Sequence, residues 1–563
     1  MNEADAWGTS CPTFPQAGDF STHTVTNVAD VLENTNLYGI NRALQEAVAR
    51  EGAGWSSEEL LTLGAEIGSA EWLKVGEDAN RNPPVLKNFD RYGRRRDEFE
   101  FHPAWHQCLG WLKRHGVDTG AWADPRPGSH VRRAALFQMF AEVECGSLCP
   151  TTMTYGAVPP LSRVPMLAET WLPLLLSREY DERFIPARQK RGVMMGMGVT
   201  EKQGGSDVRA NTTRAEPIGG GWFRLTGHKW FLSAAMCDAF LVTAQSPRGL
   251  SCFFLPRLLP DGSRNPLHLV RAKDKMGDRS NCGAEVEFAG TLAYPVGEEG
   301  RGIPTVIEMA TYTRLDCANG STGIMRAALS NALHHASRRE AFGRRLIDQP
   351  LMQNVLADMA LEVEAHTALA MRVSGAFDRQ GDAREDALRR ALTPVAKYWI
   401  TKRCPVLVAE AMEVLGGIGY VEEAPLARLY RQAPLNSIWE GSGNIMSLDL
   451  LRAFSREPDT LPALEAELAA AGGSHPAYDR YLARLKDEMT DKVADRASLE
   501  SRGRRLIEKV ALATQACLLL KHAPDFVSAA FCASRLGGEG GTAFGTLPGN
   551  TAFTALLQRA WPQ

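Results

Sequence analysis

The sequence predicts an α+β fold in which two helical regions flank a central antiparallel β-domain and an extra helical domain follows. Helical periodicity dominates residues 36–195 and 299–456, and short β-type segments recur between them at about ten-residue spacing. The chain has 563 residues, 44% hydrophobic and 23% charged, which is typical of a globular protein with a large core. We expect an N-terminal arm over 1–35, a helical domain over 36–195, a β-domain over 196–298, a helical bundle over 299–456 and a C-terminal helical domain over 457–563.

Composition argues against several classes of protein. The net charge of −3 excludes a globally basic nucleic-acid coat. No stretch approaches the roughly 18 apolar residues of a membrane span, and the first residues do not predict a secretory signal. The 11 cysteines lack zinc-site spacing, and Cys145 and Cys149 are the closest pair. We expect free thiols, no metal site and a cytoplasmic location.

Each helical prediction rests on apolar residues three or four positions apart. The clearest sets are Leu37, Ile40, Leu44 and Ala47; Leu136, Phe140 and Val143; and Met352, Leu356, Met359, Val363 and Ala370. The segments YDRYLARLKDEM and LIEKVALATQACLLLKH predict helices in the C-terminal domain. In the β-domain, WFRLTG, AFLVTAQ, LSCFFLP and AEVEFAG predict strands. The arm is polar and rich in Thr, Asn, Gly and Pro, so we expect it to be extended.

The loop GMGVTEKQGGSDV, residues 196–208, joins the first helical domain to the β-domain. The adjacent Gly204 and Gly205 permit close approach of a ligand to the backbone. Thr200, Ser206 and the loop amides offer hydrogen-bond donors to an isoalloxazine ring or a pyrophosphate. Spacing alone favours an ordinary inter-domain loop, because the pattern matches no dinucleotide or Walker motif.

The segment GHKWFLS, residues 227–233, offers aromatic rings and a hydroxyl to a flat ligand. Trp230 and Phe231 are candidates for stacking, with Ser233 as a donor. Core packing of both rings is the alternative.

Two further motifs are candidates for phosphate contacts. In RREAFG, Arg339 offers a guanidinium, and Phe342 and Gly343 predict a break in the helix; a solvated arginine is the alternative. The glycines of VLGGIGY form a candidate phosphate-binding nest, or else a helix end with a left-handed cap. They are Gly416, Gly417 and Gly419.

The segment SIWEGSGNIMSLDLLR, residues 437–452, contains a candidate base. Glu440 lies between Trp439 and Gly441, and a carboxylate beside a large aromatic tends to be desolvated, which raises its pKa toward that of a useful base. A glutamate at a helix start is the alternative.

In this order and separation the motifs resemble those of the acyl-CoA dehydrogenase flavoproteins. Longer stretches, among them NRNPPVLKNFDRYGRRRDEFEFHPAWH and NSIWEGSGNIMSLDLLR, are similar to the AidB-like branch, which comprises bacterial alkylation-response flavoproteins, over nearly the whole chain. The resemblance implies an acyl-CoA dehydrogenase-like fold whose central β-domain is an antiparallel barrel, and FAD as cofactor. The flavin contacts implied are Met197, Thr200, Gly205, Ser206, Trp230, Phe231, Ser233, Ile438, Trp439, Gly441, Ser442 and Asn444.

The resemblance also implies an oligomer and a reaction. Arg339, Phe342 and the three glycines would hold the adenosine diphosphate end of a neighbouring subunit's FAD, which implies a homotetramer arranged as a dimer of dimers. In the family a glutamate removes the α-proton of an acyl thioester while the β-hydrogen leaves as hydride to the flavin. The family's spacing from Arg431 assigns that role to Glu440. Some relatives place the base at the position of Thr313, which has no carboxyl group; Asp316 is a minor alternative.

Departures from the family pattern predict weak or unknown dehydrogenase activity. Trp439 replaces a tyrosine and narrows the expected acyl cavity, and Pro350 stands where an adenine-binding glutamine is frequent. If its helix points into the cleft, Arg452 disfavours an apolar acyl chain. The alternative function is that of a metabolic acyl-CoA dehydrogenase acting on a short or branched acyl thioester, with a purely structural C-terminal domain.

The branch resemblance further implies binding of double-stranded DNA through the C-terminal domain and a role in the response to DNA alkylation. Residues 480–521 contain ten basic and six acidic residues, enough for a basic stripe on one helical face. The candidate phosphate contacts are Arg496, Arg502, Arg504, Arg505 and Lys509. A solvated helical bundle that serves oligomerisation is the alternative.

Overall fold

Helices form in the three regions where periodicity predicts them. The computed structural model describes residues 22–489 and 496–562. The helices before the β-domain are α1 (Arg42–Arg50), α2 (Ser57–Ile67), α3 (Ala70–Arg81), α4 (Pro103–Arg114), α5 (Gly120–Ala123), α6 (Ser129–Val143), α7 (Leu148–Ser162) and α8 (Pro165–Leu175). The bundle helices are α9 (Gly302–Arg338), α10 (Pro350–Asp378), α11 (Ala383–Leu415), α12 (Gly417–Tyr420), α13 (Pro425–Gln432) and α14 (Gly443–Arg456). The last helices are α15 (Thr460–Ala469), α16 (Pro476–Met489), α17 (Arg496–His522), α18 (Asp525–Phe531) and α19 (Phe553–Ala560).

Local sequence explains where several helices begin. The Asn41 side chain accepts a hydrogen bond from the Leu44 amide at the start of α1, and Asp382 accepts two amide bonds at the start of α11. Proline opens α4 and α10, where its missing N–H costs nothing. Of the predicted arm, residues 1–21 lie outside the described residues, and residues 22–35 contain no helix or strand.

The β-domain is a seven-stranded mixed sheet. Its strands are β3 (Met195–Gly198), β4 (Arg214–Gly219), β5 (Trp222–Leu232), β6 (Ala239–Ser246), β7 (Gly249–Pro256), β8 (Leu267–Ala272) and β9 (Ala284–Val296). Most pairs are antiparallel, but β3 runs parallel to β6, a pairing that strand spacing alone does not reveal. Strand β4 meets β6 only at Arg214 and Gln245, so closure of the expected barrel stays a prediction.

A two-stranded hairpin interrupts the first helical region, which we expected to be mostly helical. It consists of β1 (Val85–Phe89) and β2 (Arg95–Glu100). The side-chain amide of Asn88 donates to the Leu269 carbonyl at 2.6 Å, which connects the hairpin to β8. Its strands are short and their residues are nearly all exposed or half-buried, so they lack the apolar alternation that would predict them.

The C-terminal helices pack against the bundle. Leu464, Ile507 and Leu518 belong to the same hydrophobic core as the buried faces of α9, α10 and α11. Polar contacts reinforce this packing: Arg372 Nε donates to Glu467 at 2.7 Å. A separate core lies between the first helices and the sheet. Within the described residues no helix is long and apolar enough to cross a membrane.

Candidate active site

Glu440 lies in a strained turn just before α14. Its φ is +58° and that of Gly441 is +97°, so a non-glycine residue occupies the left-handed region. Such conformations cost about 1–3 kcal/mol and persist only where surrounding contacts impose them. Those contacts come from two buried cations. Lys397 Nζ donates to the Trp439 carbonyl at 2.7 Å and also to the Gly441 carbonyl. Arg314 Nε donates to the carbonyl of Glu440 at 3.0 Å.

The Glu440 side chain is oriented by α9. Thr313 Oγ1 donates to Glu440 Oε2 at 2.6 Å, so the position that carries the base in some relatives here supports the carboxylate. Burial raises the pKa of Glu440 above its usual range, although the Thr313 hydroxyl and the charges of Lys397 and Arg314 oppose the rise. The pKa of the carboxyl group is thus shifted in the direction that suits a general base.

A narrow cavity of about 30 Å³ lies beside Glu440, between α6, α7 and α9. Its walls include Phe137, Met153, Ile324 and Trp439. The Trp439 indole N–H donates to Asn436 Oδ1 at 2.9 Å, which fixes the ring as one wall. This volume holds about one water molecule, so the cavity leaves little room for an acyl chain.

The floor of the cavity is polar but its charges are already paired. Asp316 accepts two bonds of 2.7 Å from Arg133, and both side chains are buried. Thr152 Oγ1 donates to the same carboxylate at 2.5 Å. Since these contacts engage both oxygens of Asp316, the structure argues against Asp316 as the base.

The glycine-rich loop after β3 is held against β5. The Ser233 amide donates to the Met197 carbonyl at 2.8 Å, and the Trp230 amide donates to the Thr200 carbonyl at 2.8 Å. A Cβ atom at Gly205 would lie 2.4 Å from Thr200 Oγ1, so only glycine fits there without a shift. The structure therefore brings these five predicted flavin contacts together, while Ser206 is exposed on the same loop.

Trp230 and Phe231 occupy a bulge in β5, where the pairing with β9 shifts register. Phe231 is 44% exposed, and its ring lies edge-on to Trp230. Lys273 Nζ lies 3.2 Å from the centre of the Trp230 ring, a cation–π contact. Neither ring is fully buried, so core packing does not account for them.

The order of these features agrees with three family models. The adaptive response protein AidB N-terminal domain matches residues 27–182, the acyl-CoA dehydrogenase middle domain matches 196–291, and the acyl-CoA dehydrogenase C-terminal domain matches 300–454. The AidB protein of Escherichia coli (strain K12) is 48% identical over 524 residues, which cover 93% of this chain and 96% of that protein. The chain is an AidB-like member of the acyl-CoA dehydrogenase family.

A sequence match and a solved structure from Caenorhabditis elegans extend the comparison. Acyl-CoA dehydrogenase family member 11 is 30% identical over 83% of this chain and 80% of its own length. The crystal structure of ACDH-11 in complex with C11-CoA superposes with a TM-score of 0.84 at 26% identity, covering 92% of this chain and 95% of that one. Members of the acyl-CoA dehydrogenase family bind FAD.

The R-x-x-FG motif of the family forms a tight hairpin in this chain. Helix α9 ends at Arg338, and β10 (Glu340–Ala341) pairs with β11 (Arg344–Arg345). Phe342 and Gly343 form the turn, both at positive φ, and Phe342 is 96% exposed. Arg339 donates to the carbonyl of Asn27 in the arm. The predicted break in the helix is confirmed.

The glycine loop of the family follows α11. Gly416 has φ +66° and ends the helix, and added Cβ atoms at Gly416 and Gly417 would meet open space. Gly419 differs, because a Cβ there would lie 2.4 Å from the Met412 carbonyl. Tyr420, next in the chain, is 80% exposed.

The residues around the strained turn differ in exposure. Ile438 is 64% exposed, although it precedes the partly buried Trp439. Ser442 is the N-cap residue of α14 and makes no side-chain capping bond. Asn444 accepts a 2.8 Å hydrogen bond from Arg504 Nε of α17. The C-terminal region therefore reaches the segment that follows Glu440.

Arg452 is not part of the cavity beside Glu440. Its side chain is 55% exposed and lies 3.7 Å from Asp449, one turn earlier on α14. The cavity residues come from α6, α7, α9 and the segment before α14. The expected placement of Arg452 in the cleft is therefore not found, because this face of α14 is turned to solvent.

The candidate DNA contacts on α17 are largely engaged within the chain. Arg505 and Lys509 share one carboxylate, Glu488 of α16, with the Arg505 bond at 3.0 Å. Arg502 is partly buried and donates to the Ser498 carbonyl at 3.3 Å. The Arg496 side chain lies outside the described residues. The interleaved acids of the sequence thus neutralise part of the basic stripe.

Four charged residues of the site were missed at the level of sequence. Lys397 and Arg314 brace the strained turn, and Lys229 Nζ bonds Glu201 Oε1 at 2.6 Å beneath the glycine-rich loop. Glu201 and Lys229 stand inside the two flavin motifs, and Lys397 interrupts an apolar run of α11. A buried charge needs a partner, so a charged residue inside an otherwise apolar motif could have been recognised from the sequence as a candidate for a buried polar contact.

Proposed function

We propose that the chain is an FAD-dependent oxidoreductase of the acyl-CoA dehydrogenase type, with Glu440 as the base that removes the α-proton of an acyl thioester. The observation that carries this proposal is the Glu440 carboxylate, held by Thr313 at the wall of a cavity. Among the described residues no group donates to Oε1 of Glu440, so this oxygen is available to take a proton.

The surfaces around the site suit a flavin. Phe231 and Ile438 expose apolar side chains that a flat ring would cover, and Gly205 leaves the loop backbone accessible. We assign the ring contacts to Met197, Thr200, Gly205, Ser206, Trp230, Phe231, Ser233, Ile438, Trp439, Gly441, Ser442 and Asn444. When bound, FAD would accept the β-hydrogen of the substrate as hydride.

The chain's own residues account for the proton transfer. Burial raises the pKa of Glu440, so its carboxylate accepts the α-proton at a lower free-energy cost than an exposed glutamate would. The Thr313 hydroxyl and the braced turn hold the carboxylate in one orientation, which lowers the entropic cost of reaching the α-carbon. The thioester oxygen gains negative charge in this step and needs donors placed in advance.

The narrow cavity favours low activity toward long acyl chains. With about 30 Å³ free and Trp439 fixed as one wall, substrates are restricted to short acyl groups or another small molecule unless the wall moves. The metabolic alternative, dehydrogenation of a short or branched acyl thioester, uses the same residues.

The decisive variant is Glu440→Gln, which keeps the size of the side chain and removes the base. We expect anaerobic reduction of bound FAD by short acyl-CoAs, followed by loss of flavin absorbance, to slow by about 10²–10⁴-fold. Glu457→Gln is the matched control, since Glu457 is an exposed glutamate at the C-terminal end of α14 that pairs with Arg390 and does not line the cavity. Equal rates in the wild type and Glu440→Gln would refute the assignment.

The exposed hairpin supports assembly as a dimer of dimers. Phe342 is 96% exposed at a tight turn, and contact with a second subunit would remove its apolar ring from water. We assign the adenosine diphosphate end of a neighbouring subunit's FAD to Arg339, Phe342, Gly416, Gly417 and Gly419. Sedimentation of FAD-loaded Phe342→Ser should show smaller species than the wild type; an unchanged tetramer would contradict this role.

Binding of double-stranded DNA in the response to alkylation is the second candidate function. Two exposed arginines of α16, Arg480 and Arg484, favour it, because neither has an ion-pair partner within the described residues. The match to the adaptive response protein AidB domain adds support. Of the C-terminal cations, these two are the better candidates for phosphate contacts than Arg505 and Lys509, which already share Glu488.

A salt-dependent gel shift tests this candidate. The double variant Arg480→Gln/Arg484→Gln should weaken retardation of duplex DNA and reduce the salt slope by about 2, since each phosphate contact contributes about 0.9. The control is Arg505→Gln/Lys509→Gln, which removes the same charge from paired positions. If the wild type gives no retardation at about 50 mM salt, DNA binding by this surface is excluded.

A further inference from the structure

Lys397 is a buried lysine whose Nζ, within the described residues, donates hydrogen bonds only to the turn that carries Glu440. It lies in α11 and is 1% exposed. Its Nζ donates to the Trp439 carbonyl at 2.7 Å and to the Gly441 carbonyl. Within the described residues it forms no ion pair with a carboxylate. A buried ammonium is costly without compensation, so its retention here needs a reason.

The two carbonyls that Lys397 bonds flank the strained residue. With φ +58°, Glu440 is in a conformation that a β-carbon disfavours. Lys397 holds the peptide groups on either side, while Arg314 holds the carbonyl of Glu440 itself at 3.0 Å. Arg314 is in turn fixed by Asp449 at 3.0 Å. Three consecutive carbonyls are thus bound by two cations from different helices.

We propose that Lys397 is a positioning residue for Glu440: it locks the left-handed turn and places a positive charge near the carboxylate beside the cavity. The role in catalysis rests on the proposed function of Glu440 as base. The role in holding the turn is independent of that assignment, because it follows from the hydrogen bonds of Lys397 to backbone carbonyls.

The charge environment of Glu440 comes from several elements. Lys397 and Arg314 are the cations that lower its pKa, and the Thr313 hydroxyl acts in the same direction. The other titratable groups that face this region include Lys402 of α11, Cys317 of α9, Cys149 of α7 and Asp449 of α14. Burial raises the pKa of both thiols, so they stay neutral, and Asp449 is occupied by Arg314 and Arg390. Burial lowers the pKa of Lys397 to about 8, so its charge is present at neutral pH.

The test uses the full chain loaded with FAD and the variants Lys397→Met, Lys397→Gln and Lys397→Arg. The pKa of Glu440 is measured by infrared titration of the carboxylic-acid carbonyl band that disappears in Glu440→Gln. Backbone hydrogen exchange at residues 439–442 reports on the turn. We expect Lys397→Met and Lys397→Gln to raise the pKa of Glu440 by about 1 unit and to speed exchange about tenfold or more. Lys397→Arg should restore both values at least in part.

Lys113→Met is the matched control. Lys113 is also 1% exposed, but it bonds Asp118 at 2.7 Å in the first helical region. Its replacement should lower global stability without changing the pKa of Glu440 or exchange in the turn. If the Lys397 variants behave as this control does in both measurements, the positioning role is refuted; the neutral glutamine variant, which keeps one donor group, covers the case in which the methionine variant does not fold.

Failure of the proposed base would look different. If Glu440→Gln retains its rate of FAD reduction while Lys397→Met still raises the pKa of Glu440, then Lys397 braces the turn but the base lies elsewhere. If Glu440→Gln is inactive and the Lys397 variants leave the pKa and exchange unchanged, the base assignment stands and the positioning role falls.

Discussion

The buried ion pair beneath the glycine-rich loop offers the sharpest prediction about stability. Lys229 Nζ lies 2.6 Å from Glu201 Oε1, and both side chains are fully buried. Replacement of Lys229 by methionine keeps the length of the side chain but leaves Glu201 without its cation. Breaking one partner of a buried pair costs about 3–5 kcal/mol, because the remaining charge stays desolvated.

The contacts of Glu201 place the expected cost at the lower end of that range. Its carboxylate also accepts bonds from the Thr212 amide at 2.7 Å, the Thr212 hydroxyl at 3.0 Å, the Thr213 amide at 3.2 Å and Gln203 at 2.8 Å. These donors continue to solvate the charge when Lys229 is gone. We therefore expect Lys229→Met to lower the free energy of unfolding by about 3 kcal/mol, a factor of roughly 150 in the unfolding equilibrium.

Urea unfolding of Lys229→Met, Glu201→Gln and the double variant measures this coupling. The double variant should lose less free energy of unfolding than the sum of the losses of the two single variants, because it removes both charges. Arg224→Met is the control, since its bond to Glu216 in the same sheet joins two half-exposed side chains at 3.3 Å and should cost less than about 1 kcal/mol. A loss for Lys229→Met no larger than that of the control would refute the reasoning.

Three further predictions concern a buried glutamate, the cavity wall and the glycine-rich loop. Burial raises the pKa of Glu142 to about 8, so the folded chain holds a proton that the unfolded chain has released above its usual pKa of 4.5. The free energy of unfolding should therefore fall between pH 4.5 and pH 8, and Glu142→Gln should flatten this slope in urea titrations. Trp439→Ala should open the cavity and lower the KM for longer acyl-CoAs in assays of FAD reduction; an unchanged chain-length profile would contradict its role as a wall. Gly205→Ala should weaken FAD retention on gel filtration, because its Cβ would lie 2.4 Å from Thr200 Oγ1, whereas Gly283→Ala meets only a lysine tip at 3.9 Å and should retain FAD.

Local sequence was sufficient for the elements that depend on near neighbours. Apolar spacing predicted α6, α10 and α17, and short β-type segments predicted β5, β6, β7 and β9. These are long elements with one strongly apolar face or a buried run, which is the pattern that sequence periodicity detects. The β1–β2 hairpin was missed because its strands are short and have no buried apolar face.

The positions of the candidate base and the flavin motifs also came from the sequence, through their order and resemblance to a family. Sequence placed Glu440 beside a bulky ring and a glycine, but it did not show the left-handed turn. That conformation depends on Arg314 and Lys397, which lie 126 and 43 residues away in the chain. Only the packing of α9 and α11 around the turn brings these cations to its carbonyls.

The C-terminal charges show the same division. The sequence determined how many cations lie between residues 480 and 521, and so the possibility of a basic face. Tertiary structure decided which of them remain available: Arg505 and Lys509 meet Glu488 across two helices, whereas Arg480 and Arg484 face solvent. Charge is a property of the residue, but its neutralisation depends on which helices pack together, and that is set by the shared apolar core.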